Sequence, residues 1–194
     1  MNEQLIIKPD TSLKDAWSSV LNQVSEAVSE GEHPFRYVTL ATVDNMNSPQ
    51  QRTVVLRDFN EKSEFLIYTD SRSDKVGEII KNSSVSLLFY HHEKKLQLRV
   101  TGSAAIIQSG EEYNKEWEKR GSKSPHSYTS VLSPGTDIGN PKEAYHWLPE
   151  EKPNFCLIKI EATYMEFLQL DGINHIRAEK IIHEGKEAIR WITP

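Results

Sequence analysis

Cysteine is nearly absent from this chain: one residue, Cys156, among 194. An internal disulfide framework is therefore excluded, and the usage fits a reducing compartment. Cys156 lies in an apolar run, Phe155-Cys156-Leu157-Ile158, where burial rather than reactivity is expected. Long apolar runs are absent too. No stretch approaches the roughly 20 apolar residues that span a bilayer, and the first residues lack the basic and then apolar blocks of a signal peptide. The expectation is a cytoplasmic protein without a membrane partner. Positive charge is in deficit: 23 Lys and Arg stand against 28 Asp and Glu, a formal net charge of −5. That balance argues against a surface that tracks nucleic-acid phosphates. Metal-site spacing is missing as well. His91 and His92 are adjacent and would face opposite sides of a strand, while His126, His146, His175 and His183 are scattered, so no metal is expected. Gly-x-Gly-x-x-Gly, a P-loop and a Gly-x-Ser-x-Gly elbow do not occur.

What is present begins with a helix. Apolar residues at Leu13, Ala16, Trp17, Val20, Leu21, Val24, Ala27 and Val28 recur at three and four, which predicts an amphipathic helix over Leu13–Ser29. Ser12 with Asp15 supplies a capping box, and Gly31 is the expected stop. From Arg36 the period changes to two. Strands are predicted over Tyr37–Val43, Gln51–Phe59, Glu64–Thr69, Val85–Tyr90 and Leu96–Ile107, the last bending at Gly102. A short helix is expected over Ser73–Asn82 and another from Ser109 to about Arg120. Residues 122–153 are rich in Pro, Gly and Ser and read as a surface loop with a short helix near Ser124–Val131. Phe155–Ile160, Glu166–Leu170, His175–His183 and Ala188–Ile192 are candidate closing strands. Many short strands with few helices favour an antiparallel barrel over alternating β-α units. The expected organisation is one domain over 1–194: an N-terminal helix (1–33), a barrel core (34–108), a helix and loop (109–153) and closing strands (154–194).

Chemistry concentrates between Arg52 and Lys75. Arg52-Thr53-Val54-Val55-Leu56-Arg57 is a β-branched strand flanked by two guanidinium groups. Five residues apart, the two arginines fall on opposite faces of a straight strand and share a ligand only if a bulge intervenes. From spacing alone, two solvated arginines remain an equal alternative. Tyr68-Thr69-Asp70-Ser71-Arg72-Ser73-Asp74-Lys75 leaves a strand, crosses a polar turn and enters a helix. Ser73 is a good N-cap whatever the function. A Lys in the first helical turn opposes the helix dipole unless an anion is bound there, and Arg72 adds to the mismatch. Cations at a helix N-terminus suit a phosphate. On Leu96–Thr101, Gln97, Arg99 and Thr101 share the polar face.

Arg-x-Val-Val-Leu-Arg, then Tyr-Thr-Asp-x-Arg-Ser-x-Lys, then Gln97-Leu-Arg99-Val-x-Gly102 together resemble the FMN-binding signature of the pyridoxamine 5′-phosphate oxidase-like flavoproteins. The resemblance covers roughly residues 34–108 and is weaker elsewhere. It implies an α+β, mostly β fold: a split β-barrel of about six antiparallel Greek-key strands with peripheral helices. It also implies a homodimer with FMN at the subunit interface, and FMN contacts from Arg52, Thr53, Val54, Val55, Leu56, Arg57, Tyr68, Thr69, Arg72, Ser73, Lys75 and Gln97. Function would then be flavin redox chemistry with a small-molecule donor or substrate that the residues do not identify. Two alternatives stay open: a non-catalytic or stress-related FMN-binding protein, and a split barrel that binds haem. A true pyridoxamine 5′-phosphate oxidase ranks below these. The family's oxidases place a Tyr/Arg/Ser set, a tryptophan, an Arg-x-His element and a further Arg around the vitamin substrate. Here Arg120, Ser124, His175 and Arg177 offer partial matches, whereas Glu116, Leu168 and Glu179 stand at the remaining places.

Overall fold

Eight antiparallel strands form one sheet in the order β3-β2-β1-β4-β5-β6-β7-β8, and β3 also pairs with β6. The computed structural model describes residues 5–120, 128–149 and 154–194. In chain order these are α1 (Leu13–Ser29), β1 (Tyr37–Val43), β2 (Pro49–Phe59), β3 (Glu64–Asp70), α2 (Asp74–Lys81), β4 (Ser84–His91), β5 (Leu96–Ile107), α3 (Glu111–Arg120), β6 (Phe155–Gln169), β7 (Ile176–His183) and β8 (Lys186–Ile192). The β3–β6 pairing closes six strands into a barrel, and the β7–β8 hairpin extends from it. Phe155–Glu161 of β6 pair with β3, whereas Tyr164–Gln169 pair with β7. One strand therefore serves first the barrel and then the extension, which is where the barrel splits.

That double use corrects the expected break between Ile160 and Glu166. β6 is a single strand of 15 residues. Thr101 opposes Tyr164 and Gly102 opposes Ala162, so Thr163 is an extra residue and the strand kinks without ending. Gly102 permits the kink. A Cβ there would sit 2.2 Å from the Glu161 carbonyl oxygen, far inside contact distance. The polar residues around Thr163 mimic a loop in sequence, but they mark a bulge.

α1 has the predicted bounds. Ser12 accepts from the Asp15 backbone N–H at 3.2 Å, and Ala16, Trp17, Val20, Val24 and Ala27 are buried against the barrel. Burying side chains the size of the valines stabilises by roughly 1.5–3 kcal/mol each, which fastens the helix, and buried Gln23 adds a polar contact by accepting from Lys94. The stop differs from expectation. Glu30 turns extended and Gly31 does not take a left-handed conformation; the Arg36 guanidinium instead caps the Ala27 and Val28 carbonyls at 3.1 and 3.0 Å. Inside the barrel, Phe35, Phe65 and Phe89 pack with ring centroids 5.4 and 5.8 Å apart along the series. A second cluster lies under α3, where Phe155 contacts Tyr68, Tyr113, Trp117 and Tyr128 at 5.0–5.3 Å. Cys156 is fully buried beside it, and burial pushes its thiol up to about 11. Part of the expected helix near Ser124–Val131 lies outside the described residues. Residues 128–149 form a loop with a Ser130–Trp147 bridge and a 3-10 turn at Pro141–Ala144. No described helix is long and apolar enough to cross a membrane.

Candidate functional site

The start of α2 is built as a small polar cup. Ser73 is the N-cap, but its side chain makes no capping bond. Its hydroxyl donates instead to the Asp70 carbonyl at 2.7 Å and lies 3.3 Å from the Thr69 hydroxyl. Of the first-turn N–H groups of α2, that of Val76 donates to the Ser73 carbonyl at 2.9 Å, while those of Asp74 and Lys75 have no intrahelical acceptor, as at any helix start. Lys75 reaches back from that turn, with Nζ 3.1 Å from Thr69 Oγ1. Burial and then the nearby charge of Arg52 lower the Lys75 pKa, so the two cations share one partly desolvated neighbourhood. From β2, Arg52 donates to Thr42 and, at 2.9 Å, to Glu78 one turn further along α2. The cup thus joins Arg52, Thr69, Ser73 and Lys75 and contains a carboxylate that sequence reasoning did not single out.

Arg72 is engaged differently. Its guanidinium pairs with Asp70 at 2.8 Å and donates to the carbonyls of Ser130, Val131 and Leu132 at 2.9, 3.0 and 3.3 Å. It fastens the loop after α3 to the turn before α2. Within the β2 motif, Val54 and Leu56 are core side chains, Thr53 is exposed and Val55 half-buried. The β2–β3 register shifts between Leu56 and Asp58. An irregularity at Arg57 removes the strict alternation that would have set it opposite Arg52. Arg57 lies over the Tyr68 ring, 5.2 Å from its centroid, and its buried Nε has no hydrogen-bond partner. Tyr68 donates to Glu116, which is only 4% exposed; burial and that carboxylate raise the phenol pKa.

Gln97 is half-buried on the outer face of β5, in register with Tyr90 on β4 and Leu168 on β6; Leu168 in turn opposes Arg177 on β7. One row along, Arg99, Glu166, Glu179 and Arg190 line up across four strands. Glu166 accepts from Arg99 at 2.9 Å and Arg177 at 2.8 Å, and Tyr164 bridges Glu166 and Glu179 at 3.0 Å each. Arg190 pairs with Glu179. Burial works to raise the Glu166 carboxyl, but Arg177, Tyr164 and Arg99 outweigh it and hold the group below its ordinary range. Glu179 is therefore not a bare negative charge; it is matched within the sheet. His175 accepts from the Asp171 N–H at 3.2 Å and closes the β6–β7 turn. Ser124 and the side chain of Arg120 lie outside the described residues. The alternation of β5 flagged the polar face carrying Arg99, but partners 67 residues away follow only from register.

Comparison with known proteins gives the family. Residues 14–108 match the model of the pyridoxamine 5′-phosphate oxidase FMN-binding domain. A pyridoxine/pyridoxamine 5′-phosphate oxidase from Microcystis aeruginosa is 30% identical over 141 residues, 71% of this chain but 64% of that protein, less than two thirds of its length. One from Bacteroides thetaiotaomicron is 30% identical over 156 residues, 75% of this chain and 72% of the relative. The fold is similar to that of a pyridoxamine 5′-phosphate oxidase-related, FMN binding protein from Nostoc punctiforme, with a TM-score of 0.70 at 21% identity over 98% of this chain and all of that one. The chain belongs to the pyridoxamine 5′-phosphate oxidase family and carries its FMN-binding domain.

Proposed function

We propose that this protein is an FMN-dependent oxidoreductase acting on a small molecule other than the phosphorylated B6 vitamers. The observation that carries the FMN assignment to particular residues is the cup at the α2 start. Two cations and the N–H groups of Asp74 and Lys75 are a donor set for a phosphate, and the Ser73 hydroxyl, which makes no capping bond, could turn from the Asp70 carbonyl to join them. Arg57, with its orphaned Nε over Tyr68, and Gln97, with an amide donor and acceptor, are the polar groups assigned to the ring. Bound FMN would supply hydride or electron transfer. The chain's own residues would hold the phosphate, orient the ring and exclude water. Tyr68 is fixed by Glu116, so the wall it forms is rigid.

Substrate choice rests on the hairpin. The cations that could grip a phosphorylated vitamer are each paired with a carboxylate: Arg177 with buried Glu166, which leaves its Nε without a partner, Arg190 with Glu179, and Lys180 with Glu187 at 2.9 Å. Glu116, at the tyrosine place, brings a negative charge where the family's oxidases meet phosphate. The kinship with proteins named pyridoxine/pyridoxamine 5′-phosphate oxidase favours a second reading, that this chain shares their activity. Assaying the FMN-loaded protein for pyridoxal phosphate formation from both phosphorylated vitamers separates the two. The first reading expects negligible turnover; a kcat/KM above about 10⁴ M⁻¹s⁻¹ would establish the second.

We further propose that the chain works as one cytoplasmic domain unit in a homodimer. Tyr37, Leu88 and Tyr90 expose 59%, 41% and 47% of their surface on adjoining strands β1 and β4, next to Gln97. A second copy over this face would supply the missing wall of a flavin site.

A further inference from the structure

Glu78 sits where an anion already satisfies the cup. Its Oε2 accepts from Arg52 at 2.9 Å and from Thr42 at 2.5 Å, and it lies on α2 one turn from Lys75. Its side chain is 11% exposed and that of Arg52 22%, so the pair is largely removed from solvent screening. Glu78 is not the sole anchor of Arg52, and Thr42 links the two by accepting from Arg52 and donating to Glu78. The other terminal nitrogen of Arg52 donates to Thr42, itself 2% exposed, and reaches the Gln50 carbonyl at 3.5 Å. We propose that Glu78 is a built-in counter-ion of the cup, which competes with the FMN phosphate for Arg52 and so sets how tightly FMN is held. The inference rests on the reading that the FMN phosphate binds at the start of α2.

The physical reason is competition for the same positive charge. A phosphate carries close to two negative charges near neutral pH. Brought against Arg52 and Lys75, it must either displace Glu78 or stand beside a like charge. In the cofactor-free protein the situation reverses. Burial first, and then repulsion from Arg52, lowers the Lys75 pKa, while Asp70 and Glu78 offset that repulsion, Glu78 through its direct pairing with Arg52. The carboxylate therefore stabilises the empty barrel and weakens cofactor binding, which leaves FMN exchangeable.

Isothermal titration of apoprotein with FMN and with riboflavin, alongside thermal unfolding of both forms, tests this in the 194-residue chain. Glu78→Gln is expected to tighten FMN by about tenfold, the order of one charge-assisted contact, and to leave riboflavin unchanged. The same variant should lower the apoprotein Tm and widen the gap between apo and FMN-bound Tm. Glu32→Gln, which removes an equal charge at an exposed loop position, should change none of these. Glu78→Asp keeps the charge on a shorter arm and should tighten FMN by less than Glu78→Gln; it also provides the comparison if the glutamine variant does not fold. Unchanged or weaker FMN binding in both variants would overturn the counter-ion role. A wild-type protein that binds FMN and riboflavin equally would instead overturn the phosphate reading beneath it.

Discussion

At the scale of single residues, the cup illustrates which chemistry is local in sequence. Ser73 and Lys75 announce an anion because a lysine in the first turn of a helix is unfavourable without one, and that mismatch spans three residues. Arg72 looked equivalent but is engaged by Asp70 and three loop carbonyls, contacts that reach 60 residues along the chain. Glu78 was invisible for the same reason: its pairing with Arg52 depends on how α2 docks against β1 and β2. The account makes Arg52 a direct phosphate contact. Arg52→Ala should weaken FMN by roughly ten- to a hundredfold in isothermal titration while leaving riboflavin affinity nearly unchanged. A proportional loss for both ligands would assign Arg52 to general folding of the site.

At the scale of elements, strands and helices were legible wherever period and caps agreed. α1 and β5 have the predicted bounds because an amphipathic stripe with a Ser cap, and a long alternation, are each complete within their own residues. β6 reads as two strands in sequence because the bulge at Thr163 interrupts the alternation, and only the facing Gly102 explains why the strand continues. The packing of α1 near the β4–β5 turn carries a pH dependence. His91 and His33 are buried with rings 5.3 Å apart, and Lys94 lies close by. Burial first, then the Lys94 charge, lowers both imidazoles, His91 to about 4. Below the ordinary value of 6.5 the unfolded chain therefore binds protons that the folded state refuses, so stability rises with pH through this window. The contribution is intact above 6.5 and is lost as pH falls toward 4. Urea midpoints measured between pH 7.5 and 4.5 should decline more steeply for the wild type than for His91→Gln. Parallel profiles would show that the pair does not titrate as described.

At the scale of the whole molecule, barrel closure was expected on strand count and family resemblance, whereas the pairing that achieves it was not readable. β3 meets β6 across about 90 residues, and no local pattern encodes that register. The same holds for the sheet face shared by Tyr37, Leu88 and Tyr90, since alternation predicts outward side chains without saying which strands stand side by side. A monomer leaves this face open to water beside Gln97. Sedimentation equilibrium of the FMN-bound protein at micromolar concentration should return a dimer mass, and Leu88→Arg should shift it toward monomer. A monomer mass for the wild type would remove the partner from the account.

The central claim is that this chain grips its flavin through the terminal phosphate at the start of α2. Titrating one preparation of wild-type apoprotein with FMN and riboflavin in the same buffer tests it most directly. FMN is expected to bind at least about tenfold more tightly, the equivalent of one or more charge-assisted contacts to phosphate. Equal affinities would contradict it.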